Sequence, residues 1–494
     1  MPKLKSPTIR ALAAGSLTLF ALGGNNALAA DEATLELSPC ELRMPGTNLT
    51  APAECGWFEV AENPDDPEGR KIKLRVARVP AQGRNVEPDP LILFAGGPGQ
   101  AATEAWLIVA PAFRKLAENR DVLLIDQRGT GQSNALRCKE LSLDEVLVQD
   151  WDDLEGATRE CLDQQAGDPR FYTTTIAMQD YDQVRAALGY EQLNLFGVSY
   201  GTRAAQVYLR LFPDHVRTVV LDSVVPQTLA LGSEHALQLD QALDRILDAC
   251  ETQPECQQAF PDSRENLRRM ADAVTENPVT LTIDHPLTGK ATELKFDRDM
   301  LGSAIRFLSY SSETQALLPM LIHEAATTGD YSRIASQLLI TATGLSESIA
   351  QGMELSVVCA EDFPRFTDNS EENQSYLLGN SMQRASEIRC DVWPRGPVPA
   401  DFNQPVVSDK PALLLSGELD PVTPPEYAEQ VLQHLSNGKH LVAPGQGHSV
   451  TGKGCLGELV TGFIEAADHS GLDTSCISQL QASPWFMTLT GPNP

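Results

Sequence analysis

One serine lies between two glycines, at the junction of two segments of different periodicity. The pentapeptide Gly197-Val198-Ser199-Tyr200-Gly201 follows an apolar run at 193–196 and precedes a helical pattern at 202–211. A serine on a sharp strand-to-helix turn can point its hydroxyl away from the backbone when the flanking positions are small. The pattern predicts that Ser199 is an exposed nucleophile, although glycine and serine also build ordinary turns.

Apolar runs alternate with helical patterns on both sides of this serine. Continuous apolar runs are typical of strands buried on both faces of a parallel sheet. The segment 71–76 instead alternates polar and apolar residues, like a half-exposed strand. The predicted strands are 71–76, 91–94, 122–125, 193–196, 216–221, 412–415 and 440–443. The predicted helices are 102–117, 176–188, 202–211, 425–435 and 456–467. This order predicts an α/β fold with a mostly parallel sheet flanked by helices.

The alternation of strands and helices stops for about 180 residues, far longer than an ordinary loop. This stretch has a mainly helical pattern. Its predicted elements are helices at 303–308, 314–326 and 333–339 and a hairpin of 279–283 with 292–296. We therefore expect a large, mainly helical cap at 226–405, inserted between late strands over the carboxyl edge of the sheet. The core is then divided into a first part at 30–225 and a C-terminal part at 406–494.

The first 29 residues have the pattern of a secretory signal peptide. Three basic residues precede a short apolar segment at 11–23, and an A-x-A cleavage site lies at 27–29. We expect export to the periplasm or the medium and no membrane insertion after signal removal, with a retained N-terminal anchor as the alternative. The formal charge of −29, without a Lys/Arg-rich run, disfavours binding to nucleic acid.

All ten cysteines lie beyond the signal segment, and their even number in an exported chain favours disulfides. Proximity along the chain suggests five pairs, although spacing alone does not fix connectivity. The suggested pairs are Cys40–Cys55, Cys138–Cys161, Cys250–Cys256, Cys359–Cys390 and Cys455–Cys476. Metal binding is the competing interpretation, but C-x-x-C and H-E-x-x-H are absent, so we expect no metal and no cofactor.

A serine hydroxyl needs a base to take its proton and a carboxylate to orient that base. Asp420 directly follows the predicted strand 412–415, and His448 follows the next one. Glu418 is a rival carboxylate on the same loop, and an Asp-Pro pair also commonly starts a turn. The order and placement favour Ser199, Asp420 and His448 as a catalytic triad.

A tetrahedral oxyanion also needs two aimed N–H donors. One is expected from Tyr200, the residue after the nucleophile. The glycine-rich exit of strand 91–94 offers the other, for which we choose Gly97, with Gly96 as the neighbouring alternative. A plain turn or a phosphate loop would also be rich in glycine, but the G-K-[ST] of a phosphate loop is absent.

Four short segments carry a set of motifs. They are G-G-P-G at 96–99, D-Q-R-G-T-G-Q-S at 126–133, G-V-S-Y-G at 197–201 and G-E-L-D-P-V-T-P at 417–424. Together they resemble the prolyl aminopeptidase and tripeptidyl aminopeptidase family of serine peptidases, and most closely its secreted tripeptidyl-aminopeptidase-like branch. The resemblance implies an α/β-hydrolase fold with a triad in the chain order serine, aspartate, histidine. It is weak in the inserted cap.

One departure from the family pattern separates the two branches. Prolyl aminopeptidases usually carry histidine before Gly-Gly-Pro-Gly, where this chain has Ala95. The departure argues against a dedicated proline iminopeptidase and leaves the triad unaffected.

Four further residues have roles that the sequence leaves open. We expect Arg128 to hold the loop beside the serine turn, with substrate contact as the alternative, and Thr423 either to steady Asp420 or His448 or simply to cap a turn. A cap carboxylate, Glu361 or Asp362, is expected to bind the cationic amino group of a substrate, with a solvated surface pair as the alternative.

With the signal-like N-terminus, the resemblance implies a secreted serine peptidase that removes amino acids or short peptides, such as tripeptides, from peptide N-termini through an acyl-enzyme. Its expected partners are peptides with a free N-terminus. A carboxylesterase with the same triad is the main alternative, because the fold does not decide between the two. A non-catalytic exported binding protein is the third.

Overall fold

A nine-stranded sheet forms the centre of the computed structural model, which describes residues 35–138, 141 and 153–492. The predicted signal peptide at 1–29 lies outside the described residues. The strands are β1 Ser38–Arg43, β2 Thr50–Ala61, β3 Lys71–Val79, β4 Leu91–Phe94, β5 Val122–Ile125, β6 Leu193–Val198, β7 Val216–Asp222, β8 Val279–Asp284, β9 Ala291–Phe296, β10 Ala412–Gly417 and β11 Gly438–Ala443. The sheet order is β1-β2-β3-β5-β4-β6-β7-β10-β11, and β8 and β9 form a separate hairpin.

The sheet is antiparallel at one edge and parallel elsewhere. Strands β1, β2, β3 and β5 pair antiparallel in that order. From β5 through β4, β6, β7 and β10 to β11, each pair is parallel. Every residue of β4 and β5 is buried, as expected for central parallel strands covered on both faces. The predicted α/β-hydrolase fold, with a mostly parallel sheet, is confirmed.

Helices cover both faces of the sheet and make up most of the segment 226–405, for which we keep the name cap. They are α1 Ala102–Val109, α2 Leu154–Gln164, α3 Thr174–Ala187, α4 Tyr200–Leu211, α5 His235–Glu251, α6 Pro254–Ala259, α7 Ser263–Glu276, α8 Arg298–Leu308, α9 Ser312–Gln315, α10 Leu318–Thr328, α11 Ser332–Ser348, α12 Gln351–Val357, α13 Ser370–Asn373, α14 Ser381–Val392, α15 Pro425–Leu432 and α16 Leu456–Ala466.

Two predicted helices are shorter than expected because proline interrupts them. The helix expected at 102–117 ends at Val109, and Pro111 lies in the 3₁₀ turn that follows. The helix expected at 314–326 is divided into α9 and α10, with Pro319 in the first turn of α10. Proline lacks an N–H and its ring clashes with the carbonyl four residues earlier, so it is tolerated only near a helix start.

Separate clusters of buried side chains pack on the two sheet faces and inside the cap. Tyr181 and Tyr208 belong to the cluster on one face of the sheet, and Trp106 and Phe463 to that on the other. The cap cluster is built from α5, α7, α8, α10, α11 and the β8–β9 hairpin, and Leu419 of the core also joins it. The cap therefore packs directly on the loop after β10, where Asp420 lies.

All ten cysteines are paired as proximity suggested. The bonds are Cys40–Cys55, Cys138–Cys161, Cys250–Cys256, Cys359–Cys390 and Cys455–Cys476. Such a set is typical of proteins of an oxidising compartment. Within the described ranges, the structure contains no helix with the length and apolar character required to cross a bilayer.

Candidate active site

Ser199 occupies a sharp turn between β6 and α4. Its φ of 57° lies in the left-handed region, which is costly for a residue with a side chain. The flanking glycines permit the turn: a Cβ on Gly197 would lie 2.4 Å from the Gly201 carbonyl oxygen, and one on Gly201 would lie 2.0 Å from that of Phe94. The serine is partly exposed, and α4 begins at the next residue, so its hydroxyl lies at a helix N-terminus.

Asp420 and His448 lie together beyond the carboxyl ends of β10 and β11. His448 Nδ1 is 2.8 Å from Asp420 Oδ2, and the aspartate is fully buried. Thr423 donates from Oγ1 to the same oxygen at 2.7 Å, and its N–H donates to Asp420 Oδ1. Thr423 Oγ1 also lies 3.1 Å from His448 Nδ1, so this threonine steadies both side chains. The rival Glu418 is exposed and accepts the Gly445 N–H instead.

Electrostatics in this pair favour a charged Asp420 and a basic His448. Burial disfavours the charged imidazolium, but the nearby Asp420 and Asp222 carboxylates outweigh it and raise the pKa of His448. Burial likewise opposes ionisation of Asp420, but His448 and the hydrogen bonds from Thr423 lower its pKa. With Nδ1 engaged by Asp420, the lone pair that can act as a base is on Nε2.

The loop that carries His448 is attached to the core on one side and to the cap on the other. The His448 N–H donates to the Tyr310 carbonyl at 2.7 Å, and the Tyr310 ring packs edge-on against the imidazole with centroids 5.3 Å apart. On the core side, the carboxylate of Asp222 accepts the N–H groups of Val450 and Thr451. The histidine is therefore held by contacts on both sides of its loop.

The glycine-rich loop after β4 lies against the serine turn. A Cβ on Gly96 would lie 3.4 Å from the Ser199 Cβ, so the two segments are in contact. Within residues 35–138, 141 and 153–492, the N–H groups of Gly97 and Tyr200 have no hydrogen-bond acceptor, as oxyanion donors require. The role of these two groups stays a prediction.

The cap supports this loop through a short backbone contact. Gln100 and Ile349 form an antiparallel β-bridge, and the Ala350 N–H donates to the Gly99 carbonyl at 3.0 Å. Gly97 packs against the Ile349 side chain so closely that a Cβ there would lie 3.2 Å from Cδ1. The cap segment 349–350 therefore forms one wall of the glycine-rich loop.

Arg128 is buried and bonded entirely to protein groups. Its guanidinium donates to both oxygens of Asp180, at 2.6 and 2.7 Å, and to the carbonyls of Ala61, Glu62 and Phe171. These five hydrogen bonds use all five N–H donors of the guanidinium, which leaves none for a substrate. The arginine holds its loop by hydrogen bonds, as expected.

Glu361 and Asp362 lie in a buried π-helical turn at Val358–Asp362, and are therefore no solvated surface pair. Asp362 Oδ1 accepts from Arg203 at 2.8 Å and from the Leu231 N–H at 2.7 Å, whereas its Oδ2 is buried without a partner in the described part of the chain. Burial, and next the charge of Asp362, raise the pKa of Glu361 to about 7. The turn thus holds one carboxylate paired with Arg203 and one whose pKa is raised to about 7.

A chain of hydrogen bonds connects Glu361 to the residue after the nucleophile. Both carboxylate oxygens of Glu361 accept from Thr174, one from its N–H at 2.6 Å and one from its hydroxyl at 2.8 Å. The Thr174 hydroxyl is 2.7 Å from that of Tyr200, which also accepts from Gln127. The cap carboxylate and the Tyr200 side chain therefore belong to one polar network.

Three contributors to the site carry no sequence motif. Asp222, Tyr310 and Ile349 act through partners that are distant along the chain, so local patterns do not identify them. The position of Asp222 at the end of a buried strand was the available signal, because such ends converge at one sheet edge. Among the described residues, no group of three or more His, Cys, Asp and Glu side chains is arranged to hold a metal ion.

Comparison with known proteins agrees with this geometry. The model of the α/β hydrolase fold family matches residues 89–452. Serine protease Hip1 of Mycobacterium tuberculosis is 24% identical over 469 residues, covering 87% of this chain and 88% of its own. Tripeptidyl aminopeptidase of Streptomyces coelicolor is 26% identical over 483 residues, covering 88% and 85%. Carboxylesterase B of Mycobacterium tuberculosis is 30% identical over 238 residues, covering 44% and 45%.

Proposed function

Because this chain belongs to the α/β hydrolase fold family, we propose that it is an exported serine peptidase that removes amino acids or short peptides, tripeptides among them, from free peptide N-termini. The observation that carries the proposal is the buried Asp420 carboxylate 2.8 Å from His448 Nδ1, at the sheet edge where the Ser199 turn lies. The names of the two relatives that align along most of the chain support a peptidase.

In the proposed reaction, His448 Nε2 takes the proton of Ser199 Oγ as that oxygen attacks the scissile carbonyl carbon. The N–H groups of Gly97 and Tyr200 stabilise the oxyanion. His448 then gives the proton to the leaving amine, which departs and leaves an acyl-enzyme on Ser199. Water, activated by the same imidazole, releases the acyl product and restores the serine.

Recognition of a free N-terminus requires a negative group in the cleft. Glu361 and Asp362 remain our candidates for this amine clamp. Asp362 supports the assignment because Oδ2 is buried without a partner in the described ranges, although Oδ1 is already bonded to Arg203. Export is supported by the signal-like first 29 residues and by the five disulfides.

One panel of substrates tests the proposal. The purified protein is assayed on aminoacyl, prolyl and tripeptidyl arylamides and on short- and long-chain nitrophenyl esters, with Ser199→Ala as the control. We expect arylamide cleavage that requires a free amine and disappears in Ser199→Ala. Ester turnover without any arylamide cleavage would contradict the peptidase function and favour a carboxylesterase. The partial alignment with carboxylesterase B is the reason to test this alternative. A protein whose properties are all unchanged by Ser199→Ala would be a binding protein.

A further inference from the structure

Arg306 is a cation of the cap that forms no ion pair with any carboxylate in the described part of the chain. It lies on α8, and its guanidinium carbon is 5.5 Å from the centre of the Tyr310 ring and 5.7 Å from that of Phe307. Its Nε is buried and has no hydrogen-bond acceptor among the described residues, nor does any of their carboxylates lie within ion-pair distance. In a chain with 67 acidic and 38 basic residues, an unpaired buried donor requires a reason.

The position of Arg306 relates it to the proposed base. Tyr310 lies between Arg306 and His448. The guanidinium of Arg306 lies over the Tyr310 ring, and that ring makes a T-shaped contact with the His448 imidazole. Arg306 and His448 are near enough for each charge to disfavour the other, and His235 is within electrostatic reach of both. Arg306 and His235 of the cap therefore lie near His448 of the core.

The other groups in this region do not neutralise Arg306. Asp420 is committed to His448 and Thr423. His235 is buried, and burial, followed by the charge of Arg306, lowers its pKa well below the usual value, so it stays neutral. The region thus keeps one cation that no described carboxylate pairs with directly, and its guanidinium lies against two aromatic rings. Such a charge is suited to a carboxylate, which a guanidinium binds through charge-assisted hydrogen bonds.

The side of the substrate that meets Arg306 follows from the chemistry. The imidazole must reach both Ser199 Oγ and the leaving nitrogen, so the leaving part of the substrate lies on the His448 side of the serine. Tyr310, which contacts His448, and Arg306, which contacts Tyr310, belong to that side. We propose that Arg306 is a specificity-determining residue that binds a carboxylate in the leaving part of the substrate, close to the scissile bond. This inference rests on the proposed peptidase function and adds to it a preference for acidic leaving segments.

Two sources could supply that carboxylate, and a set of peptides separates them. One pair carries Glu or Gln directly after the scissile bond, with an amidated C-terminus in both. A second pair has the same short neutral sequence with a free or an amidated C-terminus. The values of kcat/KM are measured for the unaltered protein, Arg306→Gln, Arg306→Lys and the control Arg268→Gln, which removes an exposed cap cation.

We expect the unaltered protein to prefer the carboxylate member of at least one pair. Arg306→Gln should reduce kcat/KM for that member by about tenfold or more, the scale of a charged hydrogen bond, and change the neutral member less than about threefold. Arg306→Lys keeps the positive charge and should retain part of the preference. This variant therefore tests the role of Arg306 even if the glutamine variant folds poorly. Arg268→Gln should retain the whole preference.

The outcomes distinguish the inference from the function on which it rests. If every peptide is cleaved but neither pair shows a preference that depends on Arg306, the specificity role is wrong and the peptidase stands. If no peptide is cleaved by the unaltered protein, the proposed function fails and the inference fails with it. Loss of the preference in Arg268→Gln as well would show a general charge effect and also overturn it.

Discussion

The N–H of Ser199 donates to the carbonyl of Asp222 at 2.9 Å. The carboxylate of the same Asp222 accepts the N–H groups of Val450 and Thr451, which follow His448. One residue at the end of β7 therefore fixes both the turn of the proposed nucleophile and the loop of the proposed base. Its two bonding groups set the relative position of Ser199 and His448.

Replacing Asp222 by Asn should loosen the His448 loop while all three triad residues are retained. The amide offers one acceptor oxygen in place of two, so a buried N–H loses its partner at a cost of about 1–3 kcal/mol. We expect a lower unfolding temperature and a reduced kcat, measured by calorimetry and steady-state kinetics. Asp214→Asn, which removes an exposed charge, is the control. Unchanged kcat in a destabilised Asp222→Asn would show that the residue acts on stability alone.

The pH profile should report the raised pKa of His448. Because the base must be neutral, kcat/KM on an uncharged ester should rise with pH and reach half its maximum above about 6.5, the ordinary histidine value. Asp420→Asn removes the charge that favours the imidazolium, so the rise should move to lower pH. Its maximum should fall by about 10⁴-fold, as when a triad aspartate is replaced elsewhere. A rise at the same pH in both proteins would contradict the electrostatic coupling.

Replacing Ala350 by Pro tests the cap wall of the glycine-rich loop. The change removes the N–H that donates to Gly99, whereas the extended backbone at Ile349, with φ −99° and ψ 131°, accepts a following proline. We expect kcat to fall by about tenfold or more with little change in KM, because oxyanion donors act in the transition state. Ala350→Gly keeps the N–H and should retain more activity. Equal losses in both variants would locate the effect in packing.

The pKa of Glu361, about 7, gives a separate test of the amine clamp. If the ionised carboxylate binds the substrate ammonium, a non-cleavable free-amine inhibitor should bind more tightly as pH rises through about 7, below the α-amino pKa of about 8. Glu361→Gln should weaken binding and abolish this dependence. An N-acetylated inhibitor serves as the control, and identical pH profiles for both inhibitors would exclude Glu361 from the clamp.

The substitution Asp362→Asn should lower the stability of the folded protein, and this effect should be measured before any effect on activity. The side chain is fully buried and its charge compensates that of the equally buried Arg203. Removal of one partner leaves an uncompensated charge, for which about 3–5 kcal/mol of destabilisation is typical. Chemical denaturation measures this directly, and a variant as stable as the unaltered protein would show that Arg203 finds another partner.

The elements that could be predicted correctly are those that a pattern of neighbouring residues identifies. β4 and β5 have the predicted bounds because a continuous apolar run between polar residues has few other interpretations. Asp420 and His448 could be placed because each follows such a strand. The antiparallel pair β1 and β2 was missed, since proline and glutamate residues interrupt the alternation of polar and apolar residues in both strands. The division of 314–326 was also missed, although Pro319 was visible.

Contacts across long stretches of chain could not be predicted from one sequence. Arg203 and Asp362 form an ion pair across 159 positions, and Thr174 and Glu361 are 187 apart. Neither residue of either pair has a local pattern that identifies its partner. The sequence identified Glu361 and Asp362 as candidates by charge and placed neither in a buried turn.

The bridge between Gln100 and Ile349 has a consequence for engineering. A cap of this size invites exchange between relatives as a way to change selectivity, as if it were a removable module. Here the incoming segment would also replace residues 349–350, which support the glycine-rich loop of the proposed oxyanion site. A chimera could therefore gain a new pocket and lose turnover. Grafts that begin after residue 350 or retain 349–350 from the recipient should separate the two effects.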